Sequence, residues 1–434
     1  MSRRLATIFK DYGPGIAVAA TGVGAGDLVT ASVAGATYGT AIIWAAVVGA
    51  VIKYSLNEGI ARWQLATGTT IVEGWQSRLH KIVSWYFIAY LVLWSFIVAA
   101  ALISACGLAA HAMIPSLSVT AWGVIHSILG VILVLVGRYL WFERLMKLFT
   151  GLMFVTVLMS AFLVQPDWGL LISSVMSPSL PEESSKFLLG VMGGVGGSVT
   201  LLSYGYWIRE KGWHGKDHHH HTQRDLGVGY GLTGLFGVAL VIIAAEVNPN
   251  VVTGDTMALE VAQRIEAVSG VTGKWIFLLG FWGAVFTSLF GVWQSVPYYF
   301  TDFVLSFRLR LSNIPSPCVN GACPPASPNH EKLDGASGAQ HANLSSSPLY
   351  RGYLLYLAFP PMLLLLFGRP VWIVVIYSIA GAFFMPFLAL TLLWMNNKRD
   401  WVGELRSGWI TNLLLLMSLF LFGYLCFIEL SEIL

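Results

Sequence analysis

Apolar residues run through this chain in stretches of about twenty, divided by short clusters of charge, proline and glycine, a pattern that predicts membrane-crossing helices. Eleven spans follow, with approximate limits 14–36, 40–66, 83–112, 119–137, 145–165, 187–208, 226–247, 274–303, 352–368, 370–395 and 408–430. Two are interrupted in mid-run, span one by GVGAGD from Gly22 and span six by GGVGGS from Gly193. Glycine costs about 1 kcal/mol relative to alanine inside a helix, so such clusters unwind it locally. In lipid every unsatisfied backbone group is expensive, so the breaks need a use. Their use is binding, because the freed carbonyls and N–H groups can hold a solute without any side chain. Spans one and six lie five apart, the signature of an inverted repeat of five helices plus five whose broken first helices meet at mid-membrane depth. The predicted fold is therefore an all-α polytopic membrane protein. Its first repeat covers about 14–165, its second about 187–395, and an extra helix lies near 408–430.

Composition supports this class. The 434 residues are 56% hydrophobic and 11% charged, with mean hydropathy +0.70 and a net charge of +3, so the lipid bilayer is the expected surrounding and no nucleic-acid surface is indicated. The basic start MSRRLATIFKDYG leads straight into a full-length span, so the first helix is expected to be retained. With the N-terminus in the cytoplasm, all lysines and arginines outside the spans fall on that side except Lys186, Arg264, Lys274 and Arg369, a strong positive-inside bias. Eleven spans then place the C-terminus outside, in a multi-pass protein of the cell membrane.

The candidate site is built from the breaks: Gly22, Val23, Gly24 and Asp27 in the first, and Gly193, Gly194, Gly197, Ser198 and Thr200 in the second. Asp27 and Ser198 each end a break and are good helix N-caps. For Ser198 capping is the preferred reading. A carboxylate at mid-membrane depth is costly and usually functional, so Asp27 is assigned to substrate, ion or proton binding. Lys53 and Glu58 in span two, His126 in span four and Asp302 in span eight are the remaining candidates for a coupling or proton relay. Lys53 with Glu58 reads more simply as an ion pair within the helix, and His126 as a packing residue. The histidine tract His218–His221, after His214, reads as a solvated loop, with cation collection as the alternative. Residues 312–349 are Pro/Gly/Ser-rich and predicted to be disordered and cytoplasmic. That places Cys318 and Cys323 as reduced thiols, with zinc binding alongside His330 and His341 the weaker reading. Cys106 and Cys426 read as packing residues.

The stretch GPGIAVAATGVGAGDLVTASVAGATYG, with EGIARWQLATGTT after it, resembles the first two helices of the NRAMP divalent-metal transporters, which have the fold of the amino-acid/polyamine/cation superfamily. The likeness rests on Gly13 to Gly15, Ala34 and Gly35, Ala61 and Arg62, and Ala66 to Gly68. It implies a metal site where the family carries Asp-Pro-Gly-Asn in the first helix and Met-Pro-His in the sixth. Here those positions hold Gly24, Ala25, Gly26 and Asp27, and about Gly197, Ser198 and Val199. One aspartate remains, relocated, and the methionine sulfur is gone. What is left is Asp27, Ser198, Thr21 and Thr200 with backbone carbonyls, a set suited to a hard, partly hydrated cation such as magnesium, or to manganese with little discrimination. The family's third-helix acids are missing between Trp85 and Cys106, and Ser378 and Phe384 take the polar positions of its tenth helix.

The resulting expectation is a secondary-active transporter moving a divalent metal ion by alternating access, with no resident cofactor. A permease for an amino acid or organic acid is the alternative, and a solute sensor a further one. An enzyme is the weakest reading, because no nucleophile with its base and no nucleotide fingerprint is found in the spans.

Overall fold

The computed structural model describes residues 24–136, 140–194, 198–247, 256–311 and 347–433, which form helices joined by short turns, without a strand among them. Nine of these helical stretches are long and apolar enough to cross a membrane, or ten when Leu148–Leu163 and Trp168–Met176, bent by 109°, count as one. That tally takes residues 25–67 as a single stretch. The turn Gly39–Ile42 divides it into the second half of span one, Ala25–Tyr38, and span two, Ile43–Thr67. The other spans are three, Lys81–Met113; four, Val119–Val136; five, Leu140–Leu163; seven, His219–Ala244; and eleven, Trp409–Ile433.

Non-helical backbone stands at both predicted breaks. In span one the described helix begins at Ala25, after Gly24, whose backbone is extended (φ −122°, ψ −162°). Span six is Ser185–Gly194, then a 3-10 turn Val199–Leu202 and a second helix Ser203–Glu210. Gly22, Val23 and Gly197 lie outside the described residues, as does Thr21.

Several boundaries differ from the expectation. Span seven begins at His219, two turns before the predicted start, so the histidine tract is partly helical. Span eight belongs to the helical run Met257–Leu311, which bends at Gly270, where φ is 75° and a side chain would be strained. Span nine is α-helical over Pro348–Ala358 and continues as a 3-10 helix over Pro360–Phe367, because two adjacent prolines supply no N–H to an α ladder. Span ten runs as Pro370–Ala382 and Phe384–Met395. The loop prediction over 312–349 is overrun at its end: Ser347 caps the span-nine helix by accepting from the Tyr350 N–H at 3.2 Å. Residues 312–346, with Cys318, Cys323, His330 and His341, lie outside the described residues.

Packing follows the membrane rule that small residues go between helices and large apolar ones to lipid. Ala99, Ala100, Ala101, Ala105 and Ala109 of span three are buried, with Cys106 among them. Leu129, Ile132 and Leu135 of span four and Phe420 and Phe427 of span eleven point outward. Spans one, two, six and seven pack together around the breaks, with spans three and ten beside them.

Candidate functional site

The two breaks meet. A Cβ added at Gly26 would come within 3.2 Å of Gly194 Cα and of Ser378 Oγ, and one added at Gly194 within 3.0 Å of the Gly26 carbonyl carbon. Only glycine lets the two backbones approach this closely. Thr30 fastens the crossing: its hydroxyl reaches the carbonyl of Gly26 in its own helix and that of Gly190 in span six at 3.2 Å. Ser378 contributes span ten as the third wall, its carbonyl lying against Gly193.

Asp27 sits one residue beyond Gly26 and is only 3% exposed. Its Oδ2 accepts a long hydrogen bond from the Gly24 N–H at 3.4 Å, which makes Asp27 part of a capping box. Its Oδ1 is buried and has no hydrogen-bond donor. A carboxylate held this way is costly unless a cation offsets it. Span two supplies one in Lys53, fully buried, whose Nζ donates to the Gly193 carbonyl at 2.5 Å and whose charge acts on Asp27. Tyr230 of span seven bonds to Asn57. Its hydroxyl accepts from Asn57 Nδ2 at 3.0 Å and feels the Asp27 charge, while Asn57 Oδ1 is a second buried acceptor with no donor. Met192 packs against Gly49 of span two.

The expected Lys53–Glu58 pair does not form. Five residues put the two side chains on different faces of span two, and each finds other partners. Glu58, 2% exposed, pairs with Arg62 one turn on, with His219 Nε2 at 2.8 Å and with Gln223 Nε2 at 3.4 Å. Arg62 is completed by the carbonyls of Leu405 and Arg406, both at 3.0 Å. The histidine tract is thus not a uniformly solvated loop, since the imidazole of His219 is drawn in by a buried carboxylate. Trp213 stacks on His218 and meets His221 edge-on. Beside this cluster lies a cavity of about 450 Å³, lined among others by Tyr54, Glu58, Arg62, Gln223, Arg406 and Trp409.

Ser198 occupies the N-cap position of the 3-10 turn but caps nothing there. It accepts from Trp94 Nε1 of span three at 2.9 Å instead. Ser198→Ala strands that buried indole N–H, which is expected to cost about 1–3 kcal/mol of stability, read as a lowered melting temperature of the purified protein in detergent. Thr200 is half-buried on the same turn. His126 takes the packing role: its Nδ1 meets the Trp122 carbonyl and its Nε2 accepts from Trp282 Nε1, both at 2.7 Å, with Phe286 edge-on. Asp302 accepts from Tyr206 at 3.2 Å, and Phe384 lies among Trp75, Phe87 and Tyr90.

Four polar residues went unnoticed in the sequence: Thr30, Asn57, Gln64 and Asp225. Asn57 and Gln64 share a face with Lys53 at helical spacing along span two, a periodic polar stripe that an average hydropathy hides. Asp225, fully buried and bonded by Tyr204 at 2.9 Å, was lost because span seven was started one residue too late to include it.

The residues matching a family model, 15–431, are nearly the whole chain, and that model describes natural resistance-associated macrophage protein-like proteins. Among curated proteins none matches. Among solved structures, a histidine-to-alanine mutant of the Eremococcus coleocola manganese transporter superposes with TM-score 0.70 at 14% identity, covering 99% of this chain and 87% of that one. The same transporter in complex with an aromatic bis-isothiourea substituted compound gives 0.66 at 13% identity, with the same coverage. These likenesses establish a shared all-α polytopic fold, and the family match establishes kinship: the chain belongs to the natural resistance-associated macrophage protein-like (Nramp) family.

Proposed function

We propose that this protein is a secondary transporter that carries a hard cation, a divalent metal foremost, through the crossing of spans one and six by alternating access. The observation that carries this reading is the buried Asp27 Oδ1, a carboxylate oxygen without a donor at the point where both helices are unwound. A donor-free carboxylate next to helix-end carbonyls is a cation ligand set. Family membership supports metal as the cargo, as does the manganese transport named for the Eremococcus protein. The close approach of Gly26, Gly194 and Ser378 favours an ion over an organic solute, and the hydroxyls of Tyr204 and Tyr206 in the second half of span six are committed to Asp225 and Asp302. The repeats 14–165 and 187–395 and a cytoplasmic N-terminus belong to the same proposal.

The donors described at the crossing are all oxygens, so discrimination among metals is expected to be shallow. In proteoliposomes, magnesium and calcium should each compete with manganese uptake within about tenfold of manganese itself. Flux of an amino acid or organic acid, with no metal flux, would promote the permease reading in its place.

A further inference from the structure

Lys53 is the least expected residue in span two. A lysine at this depth is expensive and persists where something offsets the cost. Its ammonium meets the Gly193 carbonyl in the last described turn of the first half of span six, toward the negative end of that helix's dipole. Gly194, the next residue, touches Gly26, and Asp27 follows Gly26. The ammonium is therefore at the crossing itself, facing one broken helix and acting electrostatically on the carboxylate of the other.

A helix-end carbonyl and a carboxylate are the ligands a transported cation would use. We infer that Lys53 is a tethered stand-in for the cargo: in the empty transporter its ammonium holds the cation position between the Gly193 carbonyl and Asp27, and the incoming ion exchanges with it. This rests on the cation-transport reading. The four-carbon stem of lysine lets the ammonium withdraw while its helix stays fixed.

The consequence is kinetic. A carrier with a lone buried carboxylate cannot easily pass empty through a closed state, because an unpaired charge would be left in low dielectric. With Lys53 in place the empty site holds a compensated pair, so the carrier can return without a coupling ion. Once cargo has displaced the ammonium, the remaining positive charge nearby weakens the ion's hold and speeds its release.

The test separates net uptake from exchange in proteoliposomes loaded with or without manganese, using wild type, Lys53→Met and Lys53→Arg. In Lys53→Met, exchange of external for internal manganese should persist while net uptake into empty vesicles falls at least about tenfold, and manganese should bind the purified protein about ten- to a hundredfold more tightly. Lys53→Arg retains the charge and should keep the wild-type ratio of net uptake to exchange. If Lys53→Met changes both fluxes in parallel, or binds manganese more weakly, the inference is overturned. If Lys53→Met does not assemble, Lys53→Arg decides, and a ratio of net uptake to exchange that falls with the charge retained counts against it. Wild-type protein that moves no metal in either mode would overturn the transport reading, and the inference with it.

Discussion

Replacing Asp27 by alanine is expected to abolish metal uptake by the protein that does insert and fold. The proposed site has this carboxylate as its anionic ligand, and one of its oxygens has no donor to lose. Its removal also strands the Lys53 ammonium against Gly193, leaving a site that repels cations. Truncating one partner of a buried charge pair in binding costs about 2–5 kcal/mol, on the order of thirtyfold to several thousandfold in ion binding. Asp27→Asn keeps an oxygen and the capping geometry but not the charge, so it should bind a divalent ion far more weakly than wild type and retain more folded protein than the alanine variant. Manganese flux and equilibrium binding, measured side by side, check both. Metal flux unaffected by the alanine would remove Asp27 from the site.

The second large effect is expected on stability. Glu58 accepts from Arg62, His219 and Gln223 in a nearly sealed environment. Glu58→Ala leaves the Arg62 guanidinium buried with only the two carbonyls of the loop before span eleven. Breaking a buried ion pair from one side costs about 3–5 kcal/mol, a large part of the stability of a typical domain. The variant should lose most of its monodisperse, folded yield after extraction in detergent. The double change Glu58→Leu with Arg62→Met should recover part of it, since removing both charges spares the unpaired one. If Glu58→Ala melts at the wild-type temperature, the cluster contributes nothing to stability.

Much of the fold was legible because a bilayer reduces the problem to run length and punctuation. The spans and both breaks follow from apolar runs and glycine clusters, and those features do not depend on distant partners. The site was legible only in part. Asp27 and the glycines stood out by violating a local rule, which is how a functional position shows itself in a single sequence. Lys53 was noticed but given the wrong partner, since which charge it meets depends on where span six crosses span two. The same reason explains Ser198, whose residue type suits a cap but whose hydroxyl is claimed by Trp94 of span three. Thr30 gave no signal, because a threonine in an apolar helix ordinarily bonds back to its own backbone. His219 shows the converse, a loop-like tract pulled into helix by Glu58, 161 positions earlier.

Thr30 also limits how the molecule can open. Its hydroxyl links Gly26 and Gly190, and Gly26 and Gly194 lie backbone to backbone just beyond. The second half of span one and the first half of span six are thereby welded into one strut. In the alternating-access cycle proposed above, this joint would move as one piece and the bending would fall to the segments that leave it. Among the described residues of span six, the turn Val199–Leu202 is 3-10, with a tighter winding and poorer hydrogen bonds than an α-helix, so bending there would cost the least.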